Sequence, residues 1–464
     1  MDKFEALSPV DGRYGGITSV LSDYFSEFAF TKYRIMVEAE YLLAFLQHPK
    51  IAIRSFSEQE IKFIRDLRNI SKEDFLIIKT LETMGYGGRP ATKHDMKAIE
   101  YFIKDKFEAT SLKDCIEWVH FALTSEDVNN IAYALMMPDA INKILLPAIS
   151  EIHDRLEVLA KQNKDIVMLA RTHGQSASPT TLGKEFKVFA SRLNRQIIQF
   201  KDFNLSAKLN GAVGNYNAHL VAFPQVDWIG FSRDFIHSLD RGGTVKLVSN
   251  TITTQIEPHD SEAELFDLFR RINVILIDLV QDMWRYISDG WLGITAIDGE
   301  IGSSTMPHKI NPIDFENAEG NLGLANALFG HFSEKLPISR LQRDLSDSTV
   351  ARNFGVAFGH SLIAYKAIMG GMDKIYVDNE KISQDLAKHP EIIAEGLQII
   401  LRRHGVEMSY EALKKITRGK EISNNDLAKF INDLNISDDI KKELRNINLD
   451  NYTGMASVLA GNDF

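Results

Sequence analysis

One cysteine, Cys115, stands among 464 residues. No internal disulfide framework can staple this chain, and its stability has to come from burial of apolar surface. Long apolar runs are missing as well. Even Ile272-Asn-Val-Ile-Leu-Ile-Asp-Leu-Val280 is broken by Asn273 and Asp278, and nothing nears the ~18 unbroken apolar residues of a membrane-spanning helix. The 13 histidines include no His-Glu-x-x-His and meet no cysteine cluster, so no metal is expected. Positive charge is in deficit: 53 lysines and arginines face 63 aspartates and glutamates, for a net charge of −10. That balance argues against nonspecific nucleic-acid or anionic-membrane binding, because both need a positive field to gather phosphates. It still allows an anionic substrate, provided that a local cluster of arginine, lysine and histidine outweighs the background at short range. The stretch Met1-Asp-Lys-Phe-Glu-Ala-Leu-Ser-Pro9 lacks a basic segment followed by an apolar one. No secretory signal is expected, and a cytoplasmic location is the default.

What is present is helical. Hydrophobic residues make up 44% and charged residues 25% of the chain, the balance of a soluble protein with a large core. The length exceeds the ~250 to 300 residues at which single cores stop growing, so two or three structural regions are expected. Apolar residues recur three and four apart in Ile141 to Ala160, Lys184 to Asn204, Glu262 to Trp291 and Asn317 to Phe332, which predicts helices over these spans. Strand-like alternation is scarce. The expected class is all-α, a bundle of long helices with active-site loops at its ends. Three regions follow: an N-terminal helical domain over 1–110, a central long-helix bundle carrying the catalytic loop over 111–372, and a C-terminal helical domain over 373–464. Breakers at Gly85-Tyr-Gly-Gly-Arg-Pro90, Ser178-Pro179 and Gly211-Ala-Val-Gly214 mark joints. The last of these lacks a full glycine-rich fingerprint and a preceding strand, so an interhelical turn suits it better than a phosphate cradle.

The most informative stretch is Gly302-Ser-Ser-Thr-Met-Pro-His-Lys-Ile-Asn-Pro312. Gly302 and the paired serines combine a pliable backbone with two hydroxyls, while Pro307 and Pro312 keep the loop out of a helix. Lys309 adds positive charge. Asn311 reads as an N-cap, Pro312 as the first helical residue and Asp314 as the third, which sets the hydroxyls beside a helix N-terminus where anions are favoured. On residue types alone a solvated Ser/Pro turn fits equally well.

Gly302-Ser-Ser-x-Met-Pro-x-Lys-x-Asn-Pro resembles the common motif of the fumarase/aspartase superfamily. With His308, and with Ile-Asp-Phe-Glu-Asn-Ala-Glu-Gly-Asn following, it is similar to the adenylosuccinate lyase family in particular. Asp11-Gly-Arg-Tyr14, Thr92-Lys-His-Asp95, Thr124-Ser-Glu-Asp127, Arg171-Thr-His-Gly-Gln175, Thr254-Gln-Ile-Glu-Pro-His259 and Arg343-Asp-Leu-Ser-Asp-Ser-Thr349 resemble that family's blocks, in its order. Tyr410-Glu-Ala-Leu-Lys-Lys-Ile-Thr-Arg-Gly-Lys420 and Asn451-Tyr-Thr-Gly454 extend the likeness to the C-terminal region. The resemblance implies a fumarase/aspartase-like fold, with a long central helical bundle flanked by smaller N- and C-terminal domains. It implies a cofactor-free carbon–nitrogen lyase that removes fumarate from adenylosuccinate, giving AMP, and from the succinylaminoimidazole carboxamide ribotide of purine biosynthesis. It also implies a homotetramer with sites built from three chains.

Such an elimination needs a base for a weakly acidic C–H, donors for the carboxylate dianion that forms, and an acid for the departing nitrogen. By resemblance Ser303 is the base, His173 the acid, and Lys309 with Asn311 part of the carboxylate pocket. A free hydroxyl is a weak base at neutral pH, so Ser303 has to lose its proton with help from Lys309 and the helix start after Pro312. His173 is expected on a loop ahead of a helix beginning at Ser178-Pro179. His94, expected in a first helical turn capped by Thr92, competes with it as a proton donor; resemblance puts His94 beside the substrate. Arg13, Tyr14, Arg343, Ser348 and Arg352 match the family's binding positions. Ser348 and Arg352 stand four apart and would share one helical face, although Asp344 and Asp347 also allow an ordinary salt-bridged helix. Thr124 and Ser125 read both as helix caps and as substrate contacts. Gln255 resembles a residue touching the succinyl or amide portion, and Asn317 can reach the same pocket from one turn down the helix. Lys93 departs from the neutral side chain of close bacterial relatives and puts a charge next to His94 and Asp95. Other fumarate-releasing lyases, acting on argininosuccinate, aspartate or malate, are the nearest alternative, against which His308 and Thr92-Lys-His-Asp95 stand. A silent helical scaffold is the other, against which Ser303, His173 and Lys309 stand.

Overall fold

The structure is a computed structural model that describes residues 5–297, 306, 308–407, 411, 413–414 and 422–462. Helix starts follow local capping chemistry. Ser26 accepts the Ala29 N–H at 3.1 Å to open α1 (Glu27–Leu46). Ser57 with Glu60 and Ser71 with Asp74 form reciprocal capping boxes at α2 (Glu58–Asp66) and α3 (Lys72–Thr83). Then come α4 (Asp95–Glu108) and α5 (Ser125–Ala140). The helix expected from Ile141 starts further upstream: α5 carries Pro138 and passes through a π turn, Ile141–Leu145, into α6 (Leu146–Gln162). Pro138 has no N–H to give the ladder, and a single π turn accommodates such a break without ending the helix.

Strand pairs, scarce in the pattern, are present and short. β1 (Val167–Thr172) and β2 (Gln175–Thr181) form an antiparallel hairpin. The helix expected at Ser178-Pro179 is therefore absent there; α7 runs over Leu182–Phe200. Pro179 is tolerated because the register shifts between Met168 and Ala170, and a bulge demands no N–H from it. Asn204, expected at a helix end, sits in β3 (Phe203–Ala207). After α8 (Trp228–Leu239), β4 (Val245–Ser249) pairs with β3 in parallel, Phe203 against Val245 through Ala207 against Ser249. Next are α9 (Asp260–Ser288), β5 (Leu292–Ile294), α10 (Ile313–Lys335), α11 (Ser346–Ala351), α12 (Phe354–Lys374) and β6 (Ile375–Val377), the last antiparallel to β5. In the C-terminal part lie α13 (Asn379–Ala387), α14 (Ala394–Arg403), α15 (Asn424–Asp433) and α16 (Asp438–Asn446). No described helix is long and apolar enough to cross a membrane.

Two compact units make up the chain. The first comprises Met1–Ile149, Gln196–Val274 and Gly320–Lys366. Its core contains tilted and edge-on ring pairs, with the ring centroids of Phe266 and Phe354 4.8 Å apart and those of Phe329 and Phe358 5.2 Å apart. Each such ring, fully buried, stabilises the fold by about 1.5–3 kcal/mol plus its ring–ring term. The second unit comprises Ser150–Arg195, Ile275–Glu319 and Ala367–Phe464. There Leu169 of β1 packs with Leu386 and Ile392, while Leu397, Leu401, Leu427, Ile431 and Leu444 form a separate apolar cluster among α14, α15 and α16.

Candidate active site

In the first unit the cationic candidates are held by acids. Arg352 donates to Asp95 at 3.1 Å and pairs with Glu27. Arg34, only 3% exposed, meets the same Asp95 at 2.9 Å and lies over the Phe30 ring. Burial works against charge on Asp95, but Arg34, the Met96 N–H and Arg352 outweigh it and hold the carboxyl down at about 2. His94 itself, rather than Thr92, is the N-cap of α4: its Nδ1 accepts the Lys97 N–H at 3.2 Å. That contact requires a proton-free Nδ1. Thr92 instead donates to the His94 carbonyl at 2.9 Å, and Lys93 to the Thr83 carbonyl at 2.7 Å.

A second cluster centres on Arg343. One Nη donates to the Gln255 Oε1 at 3.2 Å; the other pairs with Glu126 at 3.0 Å and lies 3.9 Å from Asp347. Gln255 passes the contact on to the Ala212 carbonyl at 2.9 Å. Burial pushes the Glu126 carboxyl up, with Arg343 working the other way. Thr124 caps α5 in a reciprocal box with Asp127, so Ser125 and Glu126 are the first two helical residues. Ser348 sits in α11, where its N–H donates to Asp347 at 2.7 Å, and Arg352 follows one residue past the helix end. Arg13 lies over the Tyr14 ring at 5.8 Å. The Gly211-Ala-Val-Gly214 turn does follow a strand, β3, contrary to expectation. Its Gly211 N–H is directed to both oxygens of Asp127 at 3.2 Å, which removes that donor from any phosphate cradle.

In the second unit His173 and Gly174 are the two central residues of the β1–β2 hairpin, with φ of +53° and +73°. Both in the left-handed region, they give the turn whose twist matches the strands. The His173 side chain is exposed. Beside it Arg171 donates to Asp385 at 2.8 Å and lies over the Trp291 ring at 5.6 Å. Lys309 is exposed, and Asn311, Pro312, Asp314 and Lys374 help line a cavity of about 240 Å³. Helix α10 begins one residue later than expected: the Pro312 carbonyl accepts from Phe315 and Glu316, and Asn311 precedes it. Asp314 and Glu316 occupy the first turn, and Asp314 pairs with Lys374 at 3.1 Å. The helix start thus already carries anionic side chains. Asn317 lies on α10, and Ser303 falls outside the described residues.

No role was expected of Arg34, Glu126 or His259, and of Asp347 only that of a salt-bridge partner on its helix; all four are buried charges around the candidates. A backbone signal accompanies them. Of eight described non-glycine residues with positive φ, Lys93, His120, Ala122, His173, His259 and Leu341 lie at or within four residues of candidate positions. Such strain persists only where surrounding contacts enforce it, and it gathers at functional sites.

Comparison with known proteins gives the arrangement its family. The family description Lyase matches residues 12–327, and Adenylosuccinate lyase C-terminal matches residues 339–453. The chain is 48% identical over 457 residues to the adenylosuccinate lyase of Legionella pneumophila (strain Corby), covering 98% of this chain and 97% of that one. Its identity to the Escherichia coli (strain K12) adenylosuccinate lyase is 45% over 462 residues, with coverage of 99% and 98%, and to the Dictyostelium discoideum one 46% over 465 residues, with 98% and 97%. Among solved structures it is similar to a fumarate lyase from Mesorhizobium sp. BNC1, with TM-score 0.71, 15% identity and coverage of 95% and 96%. It is also similar to the 3-carboxy-cis,cis-muconate lactonizing enzyme of Pseudomonas putida, with TM-score 0.69, 16% identity and 95% of each chain covered. Those two identities speak to the fold alone, which is the fumarase/aspartase-like helical one. From its similarity to curated relatives along nearly its whole length, the chain belongs to the adenylosuccinate lyase family and is a carbon–nitrogen lyase.

Proposed function

We propose that this lyase expels fumarate from adenylosuccinate, leaving AMP, and likewise from the succinylaminoimidazole carboxamide ribotide of purine biosynthesis. Ser303, as alkoxide, takes a proton from the succinyl carbon next to a carboxylate. The C–H electron pair becomes the fumarate double bond, the C–N bond breaks, and the nitrogen takes a proton from the His173 imidazolium. Lys309 and Asn311 bind the carboxylate on which charge accumulates, with Asn317 beside them. Arg343 and Arg352, with Arg13, Tyr14, Ser348, Thr124, Ser125 and Gln255, take up the phosphate and the remaining polar groups, while Lys93, His94 and Asp95 border the substrate. The observation that carries this reading is the Arg343 cluster: a guanidinium joined to Gln255 and to the acid two residues after Thr124, as a polyanionic ligand with an amide-like portion requires.

The assembly is a homotetramer whose sites draw residues from different copies, in the cytoplasm, with domains at 1–110, 111–372 and 373–464. The wide separation of His94, His173 and Ser303 along the chain supports shared sites. Absorbance of the purine chromophore on mixing the protein with adenylosuccinate tests the activity directly; no spectral change, with fumarate released from argininosuccinate, aspartate or malate instead, refutes it. Co-refolding His173→Ala with Ser303→Ala chains tests the shared site. Partial recovery of turnover is expected, and none if each site is made within one chain.

A further inference from the structure

A buried set of charges in the first unit backs the candidate binding residues. His259 takes φ +65° immediately before α9 and is 5% exposed. Its Nδ1 is hydrogen-bonded to Glu262, and its Nε2 lies 3.8 Å from Asp347 without a hydrogen-bond partner among the described residues. Its own N–H donates to Glu257 at 2.8 Å. Asp347 in turn lies 3.9 Å from Arg343, whose firm contacts are Glu126 and Gln255. The charges facing His259 are therefore Glu262 from α9, Asp347 from α11, Glu126 from α5, Glu257 from its own segment, and Arg343. An imidazolium here supplies a second cation to a group of carboxylates that would otherwise have only Arg343. At these distances, and with so little water to screen the charges, the attraction between them decides where a guanidinium rests.

We infer that His259 is a positioning residue for substrate binding: as an imidazolium between Glu262 and Asp347 it neutralises Asp347, and so leaves the Arg343 guanidinium on Gln255 and Glu126, set for the anionic substrate. This rests on the reading of Arg343 as a binding residue. Burial opposes the charge on His259, but Glu262 and Asp347 outweigh it and keep the imidazole protonated well above its ordinary range. With His259 neutral, Asp347 would compete for the Arg343 guanidinium, which would swing off Gln255.

Initial rates with adenylosuccinate on the full chain test this. His259→Gln should raise KM about tenfold or more with kcat within about threefold. Adding Asp347→Asn, which removes the carboxylate left unbalanced yet keeps an oxygen for the Ser348 N–H, should return KM to within about threefold of the unmodified protein. Glu262→Gln takes away the stronger hold on the imidazolium. The ratio of its KM to that of the unmodified protein should climb as pH rises from about 6 to 8.5, as His259 loses its proton. An unchanged KM in His259→Gln beside a raised one in Arg343→Ala overturns the positioning role and leaves Arg343's role standing. An unchanged KM in Arg343→Ala overturns both. Should His259→Gln fail to fold, the Glu262→Gln ratio decides, and a pH-independent ratio overturns the inference.

Discussion

The buried pair Asp127–Lys208 lends itself to a demanding test. Both side chains are 0% exposed and their charged atoms are 3.0 Å apart. Asp127 also accepts the N–H groups of Thr124 at 2.9 Å, Asn210 at 3.0 Å and Gly211 at 3.2 Å. Among the described residues the Lys208 ammonium donates besides only to the Gly211 carbonyl, at 2.9 Å. Breaking a buried pair from one side costs about 3–5 kcal/mol, because the survivor stays charged and buried. The two sides are unequal here. In Lys208→Met the carboxylate keeps three backbone donors, so the loss should sit near 3 kcal/mol. In Asp127→Asn the ammonium keeps one carbonyl, and the loss should approach 5 kcal/mol, with the cost of deprotonating a lysine at pH 7, about 4.6 kcal/mol, setting a ceiling on the charge part. The double variant removes both charges and should lose at least about 2 kcal/mol less than the sum of the single losses. Guanidinium-chloride midpoints of all four proteins measure this cycle. Additive losses, or Lys208→Met costing more than Asp127→Asn, would refute the argument.

The remaining expectations concern pH, catalysis and close packing. Burial lowers the His219 imidazole to about 4, with Lys208 adding to the effect and Asp127 opposing it. Stability from keeping it neutral is complete above about pH 6.5 and falls by about 3 kcal/mol as the pH drops toward 4, a limb that His219→Gln should flatten in denaturant midpoints against pH. The Asp95 carboxyl at about 2 is a depressed acid, so its contribution, about 2 kcal/mol, is complete above about pH 4 and is lost on going toward pH 2; Asp95→Asn should remove that lower limb. His173→Asn keeps a residue tolerant of positive φ in the hairpin turn, so the thermal midpoint should hold while turnover falls by roughly 10² to 10⁴. An enzyme with near-normal turnover would remove His173 from the reaction. Gly183→Ala would put a Cβ 2.3 Å from the Ala160 carbonyl oxygen and 2.6 Å from the Lys164 Cα. Backbone atoms cannot step aside as a side chain can, so a loss of about 1–3 kcal/mol is expected in the same denaturant assay.

Much of the fold is legible in short stretches because its causes are local. The three- and four-residue spacing of apolar groups over Glu262 to Trp291 is a property of the segment itself, and α9 fills most of that span. Thr124 with Asp127 announces the start of α5, since the cap and the N–H groups it satisfies are neighbours in sequence. The loop block from Gly302 to Pro312 and the six blocks around it carry the family, because each is a run of specific residue types at fixed spacing.

The strands escaped that reading. Val167–Thr172 and Gln175–Thr181 alternate weakly and contain Pro179, yet the His173-Gly174 pair was a usable sign of a two-residue turn. Nothing local marks Phe203–Ala207 as a strand, because its partner, Val245–Ser249, arrives some forty residues later. His94 likewise takes over the capping role expected of Thr92, which instead donates to the His94 carbonyl, through geometry at the helix entrance. The amino-acid sequence by itself determined the helical class, the cap at Thr124 and the motif-bearing residues, all set by contacts a few residues long, whereas the helix starts expected at Ile141, Ser178-Pro179 and Pro312 moved once the segments packed. Only the tertiary structure decided the partners of the charged groups: that Arg343 rests on Glu126 and Gln255, that Arg352 and Arg34 share Asp95, and that His259 stands between Glu262 and Asp347. The pairing of buried charges depends on distances and dehydration that arise when distant segments pack together, and neither is written in the spacing of residues along a chain.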